Sequence, residues 1–218
     1  GMVKNRDRAV LRELAARVAE AAALPVQEEK RRLWRKLNAR EPERPMVMID
    51  QVCWNEMDVD GELALSCQDP DCRGWEEELR RVLFQWKHFP VDMVVEPFVR
   101  VSKAIRNTGF GVTVSEDRAV QDPTNSVVGH KFVNQFRGMD DLEKIKVPRL
   151  AHDAAETERR LAVAHELFDG LLAVVPWGAD PYLSLWDPIS TWMGVENALY
   201  ALVDQPELLH GLVGRVTD

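Results

Sequence analysis

The stretch HDAAETERRLAVAHELFDGLLAVVPWG, residues 152–178, sets the class of fold. Its first part reads as an amphipathic helix that closes at Gly170, a residue suited to the left-handed turn after a helix. LLAVVPWG, 171–178, is then a short apolar run of strand length, so a helix feeds a buried strand. Toward the N-terminus the same texture returns. In EPERPMVMIDQ, 41–51, two prolines lead into Met46 to Ile49, an apolar run too short for a helix and read as a first buried strand. WEEELRRVLFQWKHFP, 75–90, follows as a helix ending at Pro90, and VDMVVEPFVRV, 91–101, as a second buried strand met by Pro97. Strand, helix and strand at this spacing predict a parallel βαβ unit in an α/β protein.

The flanks differ. Residues from about Arg6 to Leu37 are Ala- and Leu-rich with charges on one side, and Pro25 divides them; they read as an N-terminal helical arm spanning 2–43, with 44–218 as the main domain. GVTVSED and SVVGHKFVNQF, 111–117 and 126–136, alternate in hydropathy and are separated by turn residues, which predicts an inserted β-hairpin. DDLEKIKVP, 140–148, is a short helix stopped by Pro148, and DPISTWMGVENALYALVD, 187–204, another helix. In DQPELLHGLVGRVTD, 204–218, Asp204 reads as an N-cap, Pro206 suits a first turn and Glu207 completes a capping box. Leu208, Leu209, Leu212, Val213 and Val216 recur at helical spacing, so that helix has an apolar face to bury.

The composition is that of a globular protein: 45% hydrophobic and 29% charged residues in 218. A net charge of −8 argues against nucleic acid or an anionic membrane as a main partner, since both favour a basic face. No apolar run approaches the length of a membrane span and no signal peptide opens the chain. The three cysteines, Cys53, Cys67 and Cys72, are an odd, low count that suits a reducing cytoplasm. Cys67 and Cys72 lack zinc-knuckle spacing, and no His stands nearby to complete a set.

The order of helical arm, first strand, second strand ending in an acid, hairpin, DLEKIKVP, WGADPYLSLWDP and DQPELLHGL resembles the N-terminal half of the uroporphyrinogen decarboxylase superfamily. The likeness covers the chain from about Arg44 and is most specific from the third strand through DQPELLHGL. It implies a partial (β/α)8 barrel of the TIM type, since the family's PELLHGL helix belongs near mid-chain. A closed barrel takes eight parallel strands and ~250 residues, whereas three core strands and a hairpin are countable here. The chain therefore reads as a truncated half-barrel.

In such barrels the ligand lies at the C-terminal ends of the strands. The resemblance thus points to Asp50, Gln51, Cys53, Trp54 and Glu56 after the first strand, Glu96 and Phe98 after the second, and Trp177, Asp180 and Tyr182 after the third. Glu96 and Asp50 are the candidate catalytic acids and the others candidate substrate contacts. The decarboxylases themselves carry M-R-Q-A-G-R-Y on the first strand, with arginines that meet tetrapyrrole carboxylates. The matching stretch here, Ile49 to Asn55, keeps Gln51 but holds Asp50 and Trp54 at the arginine positions, which would repel a polycarboxylate.

The methyltransferase branch fits better. In it zinc activates a thiol acceptor for transfer to or from a corrinoid, and a separate corrinoid protein is an implied partner. That branch's zinc ligands, a His-x-Cys pair and a later Cys, have no counterpart here, so no metal ligand is assigned and the chain alone is expected to be inactive. A tetrapyrrole decarboxylase and a non-catalytic association module are the alternatives. A half-barrel would leave two strand edges and one face of its last helix uncovered, which predicts a homodimer through Ala198 to Val216 and the open sheet edge. The rival is a monomer with its arm folded over that side.

Overall fold

In the computed structural model the described residues are 3–121, 123, 128–178 and 184–217. They form a mixed helix-and-sheet protein with three two-stranded sheets and no closed barrel among them. The chain divides into two compact units. One comprises 1–103 and 154–178, the other 104–153 and 179–218.

The first unit is built on a parallel strand pair, β1 (Phe98–Ser102) and β6 (Ala173–Trp177), with Phe98 opposite Ala173 and Ser102 opposite Trp177. α5 (Ala154–Phe168) runs between them in sequence and packs on both, as a parallel connection requires. Gly170 does end that helix, at φ 83°. α1 (Asn5–Ala22) lies against α4 (Pro70–His88) and α5, and α2 (Pro25–Asn38) begins at the proline that divides the two arm helices. Leu11, Ala15 and Val18 of α1 share one core with Leu79 of α4, Leu167 and Phe168 of α5, and Val99 and Val101 on the back of β1. The arm is therefore part of the first unit, not a separate domain.

Two strand expectations are corrected. Met46–Ile49 is extended but joins no ladder, and Val47 and Met48 are exposed. Its backbone is held instead by side chains and one loop. Asp92 accepts from Val47 N at 2.8 Å, its own N donates to Val47 O at 3.1 Å, and Gln85 Nε2 reaches Ile49 O. Asp92 is in turn gripped by both terminal nitrogens of Arg44. The second strand starts only at Phe98, after Pro97. Val91 to Pro97 is irregular, with Val91 at φ 33° and Val95 N donating to the buried Gln27 Oε1 at 3.0 Å. The parallel partner of β1 is thus the strand expected third, not the one expected first.

In the second unit, β2 (Ile105–Asn107) pairs antiparallel with β5 (Leu150–His152), a pairing the periodicity did not indicate. The expected hairpin is present as β3 (Glu116–Ala119) and β4 (Gly129–Phe132), antiparallel. The helix expected over 187–204 is two, α6 (Trp186–Met193) and α7 (Val195–Asp204). Gly194, at φ 80°, makes the break; a Cβ there would meet Phe132 O at 3.0 Å. Gly194→Ala is expected to cost about 1–3 kcal/mol, because it adds both left-handed strain and a backbone clash; urea unfolding checks this. α8 (Pro206–Thr217) forms as read, but Asp204 is the last residue of α7 and not its N-cap. Leu209 N instead donates to Gln205 O. Leu208, Leu209, Leu212 and Val216 are buried in the unit's own core with Phe136, Ile189 and Trp192. The apolar face of α8 is thus turned into this core, Val213 excepted.

Candidate functional site

β1 carries its chemistry by alternation. Val99 and Val101 are buried, so Arg100 and Ser102 point to the other, exposed face. The register sets Ser102 beside Trp177, and Lys103 N donates to Trp177 O at 2.8 Å, which extends the ladder past the strand end. The Arg100 guanidinium lies over the Trp177 ring, 4.1 Å from its centroid, and 5.7 Å from that of Phe98. It makes no ion pair among the described residues. A guanidinium stacked by its face keeps its edge N–H groups free for a planar anion.

Beside it is a groove of about 220 Å³ lined by Asp71, Gly74, Trp75 and Glu78 of α4, by Arg100 to Ser102, and by Arg160 of α5. Gly74 leaves open space on the α4 wall, and the buried Trp75 sets its ring edge-on to Phe168, 5.6 Å between centroids. The basic side of the groove is braced. Glu156 accepts from Arg159 at 2.7 and 2.9 Å and from Arg160 at 2.8 Å, and those guanidiniums hold its carboxyl down at about 2. Arg159 also reaches Asp71 at 2.8 Å, and Arg160 approaches Ser102 O at 3.4 Å. Glu78 is different. Although the residue as a whole is exposed, crowding by its surroundings pushes its carboxyl above the ordinary range, and Arg100 offsets this only in part. Among the described residues the groove thus offers one guanidinium without an ion pair on an aromatic platform, and a hydroxyl.

Of the residues singled out from the sequence, the structure brings together Phe98 and Trp177, through Arg100. Glu96 is not with them. It precedes β1 and is ion-paired to Arg31 at 3.1 Å, at the end of the parallel pair opposite Trp177. With five residues in the strand, that is roughly 15 Å away. Asp50 and Gln51 are exposed in the segment before α3 (Trp54–Met57), where Cys53 is the exposed residue at the helix start and Glu56 faces solvent. Trp54 belongs to a second cleft, of about 230 Å³, with Asn55, Asp58, Leu63, Leu65, Glu77 and Arg81. Its ring meets Phe84 edge-on at 6.2 Å and lies 5.1 Å from the Arg81 guanidinium. These residues fail to converge because the expected first strand is not one, so nothing carries its following residues to the mouth of β1 and β6. Asp180 and Tyr182 lie outside the described residues. Arg100 and Glu78 were missed, although the pattern Val99-Arg100-Val101 flags a charge on the open face of a strand.

The zinc of the resembled methyltransferases finds no fit here. Among the described residues no three of His, Cys, Asp and Glu gather. Cys67 and Cys72 are buried, and burial, with Glu76 near the first and Asp69 near the second, pushes both thiols up to about 12. Such groups stay protonated and are poor ligands. Among the described residues no helix is long and apolar enough to cross a membrane. Compared with known proteins, the chain matches no family model, no curated protein and no solved structure.

Proposed function

We propose that the groove beside Arg100 binds a small ligand with one carboxylate or phosphate and a flat apolar part. We place it in a chain on the plan of the uroporphyrinogen decarboxylase superfamily, of the corrinoid-linked methyltransferase type. The observation that carries the binding reading is Arg100 itself: a cation without an ion pair among the described residues, stacked on Trp177 at the C-terminal end of a parallel strand pair. The family reading is supported by the resemblance from WGADPYLSLWDP to DQPELLHGL and by the β1–α5–β6 arrangement, with its ligand groups at the strand ends. One uncommitted guanidinium suits one anionic group, which favours this reading over a polycarboxylate tetrapyrrole. Ser102 supplies a hydroxyl to the same anion.

The test is calorimetric titration of the whole chain with phenyl phosphate and benzoate, using benzyl alcohol as the neutral analogue. One of the anions is expected to bind while the alcohol does not. Arg100→Ala is expected to weaken that binding at least about tenfold, the effect of losing a charge-assisted hydrogen bond. Arg100→Lys restores only part, because an ammonium neither stacks nor forks. Equal affinity for the alcohol, or an Arg100→Ala protein that binds as before, would sink the reading.

A further inference from the structure

α7 is amphipathic the wrong way round. Its core-facing positions are the small Ala198 and Ala201, 1% and 5% exposed, while the large Leu199, Leu202 and Val203 are 55%, 53% and 82% exposed. Val195 and Tyr200 join them at 57% and 61%. Val195, Leu199 and Leu202 fall at i, i+4 and i+7, so they form a stripe along the helix. The stripe continues into a shallow apolar groove of about 220 Å³ between α6, α7 and α8, lined by Trp186, Leu202, Leu209, His210 and Val213. A surface helix of a self-sufficient unit turns its large apolar residues inward. Large apolar side chains gathered on an outward face in this way mark an interaction surface.

The charges around the stripe decide what covers it. From Leu161 to Gly214 the sequence contains no Lys or Arg. Glu196 stands at one end of α7 and Asp204 and Glu207 at the other, exposed and without ion pairs among the described residues. Eight residues of helix separate Glu196 from Asp204, about 12 Å. A second copy seated on this face would bring these acids against their own kind, and an anionic lipid surface would meet the same repulsion.

We infer that the α6–α7–α8 face is the docking site of an amphipathic helix from another protein, with an apolar stripe of two to three turns and Lys or Arg at both ends. Helix-in-groove recognition of this kind reads apolar anchors at i, i+4 and i+7, and the flanking charges fix orientation and rate. The surface lies wholly in the second unit, so it stands or falls apart from the Arg100 groove.

The probe is a fluorescein-labelled Leu/Lys amphipathic peptide of roughly 16 residues, about 24 Å as a helix, followed by anisotropy against the full chain. A Leu/Glu peptide of the same pattern is the control. The Leu/Lys peptide is expected to saturate one site and the Leu/Glu peptide to show none. Leu202→Asp is expected to weaken binding at least about tenfold; because Leu202 is exposed, circular dichroism should be unchanged, and Leu199→Asp serves as a second variant. Reversing the rim with Glu196→Lys and Asp204→Lys together is expected to move the preference to the Leu/Glu peptide. Equal binding of the two peptides, binding of neither, or an unchanged preference after rim reversal overturns the inference. So does light scattering that finds a dimer dissociated by Leu202→Asp, since the occupant would then be a second copy.

Discussion

Replacing Glu76 by Ala is expected to destabilise the first unit by about 3–5 kcal/mol, the usual loss when one partner of a buried charged network is removed. Glu76 has no exposed surface, and its two oxygens collect a whole segment. Ser66 donates its N–H and its hydroxyl at 3.0 Å, Cys67 N donates at 2.8 Å and Arg80 Nε at 2.9 Å. The carboxylate therefore staples the strap before α4 to the side of that helix. The truncated side chain would leave the Ser66 and Cys67 donors without acceptors, and the cost of unmade bonds exceeds the value of the bonds themselves. In a chain of this size the midpoint of thermal unfolding should fall by roughly 10 °C. Urea titration followed by tryptophan fluorescence reads the same loss, and a Glu76→Ala protein with an unshifted midpoint would refute the staple.

The same residue carries a pH signature. Burial by itself would raise the Glu76 carboxyl, but the hydrogen bonds from Cys67 N, Ser66 N, Arg80 and the Ser66 hydroxyl outweigh it and hold the group at about 2, down from 4.5. A carboxyl whose folded value lies below its unfolded one stabilises fully above the unfolded value. That contribution fades as pH drops from 4.5 toward 2 and amounts to about 3 kcal/mol. Stability should accordingly decline across that window, and more gently in Glu76→Gln, which has no proton to take up. Parallel pH profiles for the two proteins would show that other carboxylates govern the acid limb.

Removing residues 1–43 is expected to leave the first unit unfolded, an effect far larger than the loss of an appended arm. Leu11 and Ala15 have no exposed surface, nor have Leu167 and Phe168 in the same core. Without α1, that side of α4 and α5 would face water at about 25 cal/mol per Å² of apolar area. α2 adds a polar lock: buried Gln27 donates to Ala21 O at 3.1 Å and accepts from Val95 N at 3.0 Å, tying the arm to the lead-in of β1. The milder version, Leu11→Ala, should cost about 2–5 kcal/mol through the cavity it opens. A shortened chain that still unfolds cooperatively, with an undiminished urea midpoint, would restore the arm to an independent element.

Much of the local structure was legible in the residues. Pro25 separates two helices, Gly170 ends one, and LLAVVPWG forms a strand, because each signal acts within a few residues through a missing N–H, a permitted left-handed turn or an unbroken apolar run. Tertiary structure alone decided whether Met46–Ile49 would pair. A short apolar run after a proline looks the same whether its backbone meets a strand or, as here, is held by Asp92 and Gln85. That one difference moved Asp50, Gln51, Cys53 and Glu56 away from the end of the parallel pair, and the late start of β1 put Glu96 at its wrong end. Arg100 stood in plain view between two valines, but its meaning depended on Trp177, 77 positions along the chain and set one strand away only by the β1–β6 register. Periodicity records which side chains avoid water; it carries no information about which distant backbone or ring will cover them, because that is settled by the packing of whole elements.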